Sequence, residues 1–246
     1  MIGVLVPAHN EEASLGACLE SIRAAAEHPA LAGLPVRIAV ALDRCTDGSA
    51  GIARRLADEV IELEQGDVGA ARAAAAAALL DWGATWLAST DADSVVPPHW
   101  LAGQPRASHD VFCGIVRVAD WSGWAPDVVT AYERTPPVDG HPHIHGANLG
   151  LSERAYRLAG GFKAAHAHED VALVRRCEAL GLAIARWVAP AVVTSARRDP
   201  RAREGFGDFL ANLERRVAAQ REAGEASKAG KGDGAPPNGA DPVHMQ

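Results

Sequence analysis

Apolar runs alternate with polar, helix-forming stretches along the first part of the chain. Ile2–Val6 is a short apolar run that stops at Pro7, as a buried strand would. Asn10 follows as a candidate N-cap for a helix over about Glu11–Glu27, with acidic residues in the first turn where the helix dipole favours them. Val36–Leu42 is a second apolar run, closed by Asp43; Arg44–Gly48 reads as a turn and Ser49–Ala57 as a helix. Val60–Leu63 predicts a third strand. Ala70–Asp81 is rich enough in alanine for propensity alone to predict a helix. Trp86–Ala88 predicts a fourth strand, just ahead of Asp91.

The second half is less regular. Val111–Val118 predicts a strand and Trp124–Arg134 a helix, followed by a loop rich in proline and histidine over Pro136–Gly146. Asn148–Ser152 predicts a strand, with a helix from Glu153 that Gly160-Gly161 breaks. Asp170 opens a helix whose apolar stripe is Val171, Val174, Cys177 and Leu180. Arg186–Val188 and Ala191–Thr194 read as extended, and Gly207 to about Arg221 as an amphipathic helix. Beyond Ala223 the composition shifts to Gly, Pro, Lys and Asp. The expectation is one domain over residues 1–222 and a disordered, low-complexity tail over 223–246.

Repeated strand-helix alternation predicts an α/β fold, a mostly parallel central sheet with helices on both faces. Ligands of such sheets sit beyond the carboxyl ends of the strands. Three polar clusters fall at those ends: Pro7-Ala8-His9-Asn10-Glu11, Asp43-Arg44-Cys45-Thr46-Asp47, and Asp91-Ala92-Asp93. They are far apart in sequence, and this topology gathers them along one edge.

Composition narrows the possibilities. The 246 residues are 48% hydrophobic and 22% charged, an ordinary globular balance with enough apolar mass for one sizeable core. A formal net charge of -7 argues against a nucleic-acid binder, which would carry a basic surplus. No apolar run approaches the ~20 residues that cross a bilayer, and the start lacks the basic and long apolar regions of a secretory signal. Cys18, Cys45, Cys113 and Cys177 are widely spaced, which suggests buried thiols in a cytoplasmic protein rather than a zinc site or disulfide framework.

In an extended segment Asp91 and Asp93 share a face, and paired carboxylates suit a hard cation such as Mg²⁺ or Mn²⁺. Taken alone, the triplet is better read as a solvated turn. Asn10 with Glu11 and Glu12 reads equally as a cap, and Asp43–Ser49 as a plain turn.

The ordered set of motifs resembles the family 2 glycosyltransferases of the GT-A, or nucleotide-diphospho-sugar transferase, fold. Val4-Leu5-Val6-Pro7-Ala8-His9-Asn10-Glu11-Glu12 is similar to the family's opening strand and Pro-x-x-Asn-Glu. Asp43-Arg44-Cys45-Thr46-Asp47-Gly48-Ser49 is a variant of its Asp-Asp-Gly-Ser-x-Asp turn, with only Asp43 at the strand end. Gly66–Arg72 is similar to the Gly-x-x-x-Ala-Arg-Asn stretch, with Ala73 in place of the Asn. Asp91-Ala92-Asp93 stands at the metal motif. Gly146–Ser152, Gly160-Gly161-Phe162 and Glu169-Asp170 complete the acceptor side.

The resemblance implies a nucleotide-sugar donor, with a UDP-sugar favoured, a divalent metal and a small or soluble hydroxyl acceptor. Pro7, Ala8, His9, Asn10, Glu11 and Asp43 would hold the base. Arg72 would lie near the nucleotide or its phosphates, and Asp91, with Ala92 between the carboxylates, near the ribose or sugar. Asp93 would bind the metal, and Asp170 would be the general base. His145, Gly146, Asn148, His168 and Glu169 would face the acceptor. The processive Gln-x-x-Arg-Trp motif is missing after Asp170, so single transfers are expected, with inversion favoured and retention open; a homodimer is allowed.

Two further features stand beside the resemblance. His141, His143 and His145 alternate, so an extended loop would put them on one face, as hydrogen-bond donors to an acceptor or as transition-metal ligands. Arg197, Arg198, Arg201 and Arg203 form a basic run that would close over a diphosphate or stand as a solvated loop. A nucleotidyltransferase would want a Gly-rich basic loop after the first strand and a dehydrogenase Gly-x-Gly-x-x-Gly; Pro7-Ala8-His9-Asn10 is neither. A sugar-nucleotide binding module without turnover is the alternative from another class.

Overall fold

The computed structural model describes residues 1–104, 106–199 and 205–229. Seven strands form one sheet: β1 (Ile2–Ala8), β2 (Val36–Asp43), β3 (Glu59–Leu63), β4 (Trp86–Ser89), β5 (Val111–Val118), β6 (Leu149–Ser152) and β7 (Ile184–Thr194). Their order is β3-β2-β1-β4-β6-β5-β7. All run the same way except β6, which is antiparallel to both β4 and β5. The fold is the expected α/β arrangement, a mostly parallel sheet with helices on both faces.

This topology decides what reaches the functional edge. β1 pairs with β2 on one side and β4 on the other, so the loops leaving all three emerge together. Because β6 is reversed, with Ser89 opposite Leu149, the segment preceding it arrives at that same edge. β7 is parallel to β5, so the chain leaving Thr194 arrives there too.

Alternation along the strands sends side chains to two cores. Val4, Val6, Ile38 and Val40 pack with Leu15, Leu19 and Ile22 of α1 (Leu15–Ala26) and Ala53 of α2 (Ser49–Leu56). On the other face Leu5, Ala39, Leu87 and Cys113 meet α3 (Val68–Asp81), α5 (Glu153–Leu158) and α6 (Glu169–Ala179). A third cluster, Trp124, Val128, Leu210 and Leu213, joins α4 (Pro126–Glu133) to α7 (Phe206–Ala229). The four cysteines are free thiols, three buried and Cys45 half-buried.

Several expectations shift. The first helix begins at Leu15 with Ser14 at its N-cap, not at Glu11 with Asn10. Asn10 instead takes a left-handed backbone, φ 54°, which asparagine tolerates, and turns its side chain to the neighbouring loop. α3 starts at Val68, capped by the Asp67 carboxylate, which accepts from the Ala70 N–H at 2.8 Å. In α6 the buried positions include Leu173, Val174 and Cys177, while Leu180 is 52% exposed at the C-cap. The two extended segments at 186–194 are one strand. α7 continues to Ala229, past the domain end expected at 222; residues 230–246 of the expected tail lie outside the described residues. Among the described residues no helix is long and apolar enough to cross a membrane.

Candidate active site

The loops leaving β1 and β2 are stapled to each other. Thr46 N–H donates to Asn10 Oδ1 at 2.7 Å, Glu12 N–H to Asp47 Oδ2 at 3.0 Å, and Gly48 N–H to Glu12 Oε2 at 2.7 Å. Glu11 N–H donates to the Ser49 hydroxyl at 2.8 Å, and His9 Nδ1 lies 2.7 Å from the Asp43 carbonyl. The buried Asp43 carboxylate accepts from the backbone N–H groups of Gln65, Gly66 and Asp67 at 2.7–2.9 Å. Asp43 therefore fixes the turn that launches α3, and Asp47 fixes the loop facing it.

That turn places Arg72, in the second turn of α3, under the end of β4. The side chain is 5% exposed despite its charge. Its guanidinium bonds Asp91 Oδ1 at 2.5 Å and pairs closely with Glu169. The Gly146 backbone lies directly against it: a Cβ at residue 146 would sit 2.3 Å from Arg72 Nη2. Glycine is required there by close approach, not by backbone conformation.

Asp93 is held from the opposite side. Arg197, three residues beyond β7, donates from Nη2 to Asp93 Oδ2 at 2.8 Å. The same guanidinium grips Glu11 through two hydrogen bonds of 2.6 and 2.9 Å. Burial first, then the neighbouring Asp91 carboxylate, push the Asp93 carboxyl up to about 6, with Arg197 pulling the other way. Four carboxylates, Asp91 and Glu169 on Arg72 and Glu11 and Asp93 on Arg197, thus share two guanidinium groups at the end of β4.

The side expected to face the acceptor is formed by α6 and the segment before β6. His168 precedes α6 in a left-handed conformation, φ 61°, and turns the chain so that Glu169 points inward to Arg72. Asp170 Oδ2 accepts from Gly146 N–H at 2.6 Å, and Oδ1 from Val171 N–H at 2.7 Å. His141, His143 and His145 do share one face, as rings with centroids 5.5 and 5.8 Å apart, the last two stacked. Burial, reinforced by the other two histidines, pushes His145 down to about 4. His168 also lines a cleft of about 500 Å³ with Asp208, Phe209, Asn212 and Arg215 of α7.

Comparison with known proteins names the family. Residues 3–124 match the family model described as Glycosyl transferase family 2. The chain belongs to glycosyl transferase family 2. None of the curated proteins searched matches the sequence. Among solved structures, the chain is similar to a fragment of S. aureus TarS in complex with UDP-GlcNAc, at 16% identity and TM-score 0.63, covering 89% of this chain and 65% of that one. It is similar to the mannosyltransferase PcManGT from Pyrobaculum calidifontis, solved with GDP-Man and Mn²⁺, at 20% identity and TM-score 0.59, covering 96% and 65%. It is similar to glucosyl-3-phosphoglycerate synthase from Mycobacterium tuberculosis with phosphoglyceric acid, at 21% identity and TM-score 0.54, covering 89% and 77%. The chain therefore spans less than two thirds of the TarS and PcManGT chains. At these identities the likeness shows the shared fold.

Within this family-2 frame, the structure redistributes several expected roles. Asp91, Asp93, Arg72, Glu169 and Asp170 do meet at one place. Asn148, expected against the acceptor, is a correction: it is 0% exposed. Its amide donates to the Ile115 and Pro190 carbonyls at 2.8 Å and accepts from the Trp100 indole at 2.9 Å, so it ties β5 and β7 together. Glu169 is likewise spoken for, its side chain 3% exposed and turned to Arg72 rather than outward. Arg72 is committed to two carboxylates rather than open to phosphates. Arg198 pairs with Glu214 of α7; Arg201 and Arg203 lie outside the described residues. Among the described residues no three His, Cys, Asp or Glu are arranged to hold a metal ion, so the histidine triple gains no support as a transition-metal site. The bridge from Arg197 to Glu11 escaped sequence reasoning, because no local pattern links positions at opposite ends of the chain.

Proposed function

We propose that this chain transfers a sugar from a nucleotide-sugar, with a UDP-sugar favoured, to a hydroxyl of an acceptor, one transfer at a time and with inversion. The observation that carries the reading is the Arg72 bridge. One buried guanidinium joins Asp91, at the donor end, to Glu169, the neighbour of the candidate base Asp170. Donor and acceptor chemistry therefore abut, as direct displacement requires. The nucleotide-sugars in the TarS and PcManGT complexes support the donor class.

In this reading the stapled loops of Pro7–Glu11 and Asp43–Ser49 form the base pocket, with Asp43 shaping it through the 65–67 turn. Asp91 faces the ribose or sugar. Asp170 takes the proton of the attacking hydroxyl, and Gly146 N–H holds its second oxygen in place. Glu169 and Arg72 position that base without touching the acceptor. His145, Gly146 and His168 border the acceptor's approach.

The residues at Asp93 fit a divalent cation. Its oxygens are the hard donors that Mn²⁺ or Mg²⁺ prefers, and the Arg197 guanidinium beside them marks a place where the field already holds positive charge. A metal bound there would neutralise the charge gathering on the leaving diphosphate. The test is release of free nucleotide from a panel of UDP- and GDP-sugars, with hydroxyl acceptors, with and without Mn²⁺. Donor binding with no release from any donor would leave a sugar-nucleotide binding module and overturn the reading.

A further inference from the structure

Arg197 occupies an unusual position for an arginine expected in a loop run. It leaves β7, crosses to the end of β4, and places one cationic nitrogen, Nη2, 2.6 Å from Glu11 Oε1 and 2.8 Å from Asp93 Oδ2. Nη1 closes a bidentate fork on Glu11 at 2.9 Å, a geometry that an arginine makes and a lysine cannot. The two carboxylates it joins are mostly hidden, with side chains 8% and 15% exposed, while Arg197 itself remains 30% exposed. Ser14 donates to the same Glu11 carboxylate, and Asp91 adds a third negative charge nearby. A site of this charge cannot stand without a cation, and the chain supplies its own.

We propose that Arg197 is the resting counter-cation of the donor site, held on Asp93 until a divalent metal arriving with the nucleotide diphosphate displaces it. The inference rests on the metal reading of Asp93 given above. Two features make the arginine exchangeable. It comes from a loop rather than from a strand or helix. A divalent ion also concentrates twice the charge on a smaller sphere and so competes with a delocalised guanidinium for the same oxygens. The consequence is an ordered requirement: metal alone must expel Arg197 unaided and binds weakly, whereas metal with diphosphate offers the displaced guanidinium an anion in exchange.

Calorimetry with Mn²⁺ alone, and with Mn²⁺ in the presence of UDP, on wild type, Arg197→Met and Arg197→Lys tests this. Arg197→Met is expected to bind Mn²⁺ alone at least about tenfold more tightly than wild type, because the competitor is gone. Its melting temperature without metal should fall below wild type and recover as Mn²⁺ is added. Arg197→Lys, which keeps the charge and loses the fork, should fall between, and it carries the test if the methionine variant does not fold. Equal Mn²⁺ affinity in all three proteins, with Mn²⁺-dependent UDP binding intact, overturns the exchange and leaves the metal reading standing. Absence of Mn²⁺-dependent UDP binding in every protein overturns both.

Discussion

Replacing Arg72 with methionine removes the charge but keeps most of the apolar stem that α3 packs against the sheet. What remains is a buried Glu169 carboxylate, 3% exposed, with its ion partner gone, and an Asp91 carboxylate, 37% exposed, that water can reach. Removing one member of a buried pair costs about 3–5 kcal/mol, because the other charge stays desolvated. Asp91 contributes little of this, since solvent screens a group that exposed. The expected loss is therefore near the lower end, about 3 kcal/mol. For a domain of this size that corresponds to a fall of roughly 6–12 °C in melting temperature. Urea denaturation should show a lower midpoint with an unchanged slope, since the folded state stays compact. Adding Glu169→Gln to the same protein should restore much of the loss, because the stranded charge disappears. A single Arg72→Met variant within about 1 kcal/mol of wild type would refute the claim that this guanidinium holds the site together.

Other outcomes follow from the same geometry. Asp93→Ala should abolish Mn²⁺-dependent UDP binding in calorimetry while leaving the fold intact. Asp170→Asn should keep donor binding, because Gly146 N–H still finds an acceptor, and lose transfer in the nucleotide-release assay. Gly146→Ala drives a methyl into Arg72 and should cost about 1–3 kcal/mol in denaturant unfolding, with activity falling as the bridge is displaced. His145, pushed down to about 4 by burial and its histidine neighbours, binds a proton more readily when unfolded. Its contribution to stability is therefore complete above about pH 6.5 and is lost as pH falls from there towards 4. His145→Gln should flatten the stability-versus-pH curve over that window by about 1–2 kcal/mol, read from urea midpoints at pH 7 and pH 5.

Most strands were legible as short apolar runs, although β1 continues through Pro7 to Ala8 and β7 spans both expected extended segments and the proline between them, and β1, β2 and β4 end at the three polar clusters. Adjacency of those clusters follows from parallel order alone, without knowledge of any side chain. Positions whose role depends on distant partners were not legible. Asn10 has the sequence signature of a cap, yet its carbonyl oxygen serves Thr46 across the stapled loops. Asn148 sits in a motif shared with glycosyltransferases and looks polar enough for a ligand. A Cβ at Gly114 would lie 2.2 Å from its amide, so it is a buried cross-tie between strands. Single-sequence patterns report what a residue does for its own helix or strand, and neither asparagine works for its own element.

The same distinction separates the two arginines of the site. Arg72 comes from a helix whose first turn is fixed by Asp43 and Asp67, so it is presented to Asp91 and Glu169 by rigid structure. Arg197 comes from the chain beyond β7 and reaches Glu11 and Asp93 by its own side chain. A buried charge held by rigid elements on both sides serves position, whereas one delivered by a loop to mostly hidden carboxylates can leave when a stronger cation arrives. In the proposed reading, the donor site has one guanidinium that stays to place the base, and one that moves for metal and diphosphate to enter.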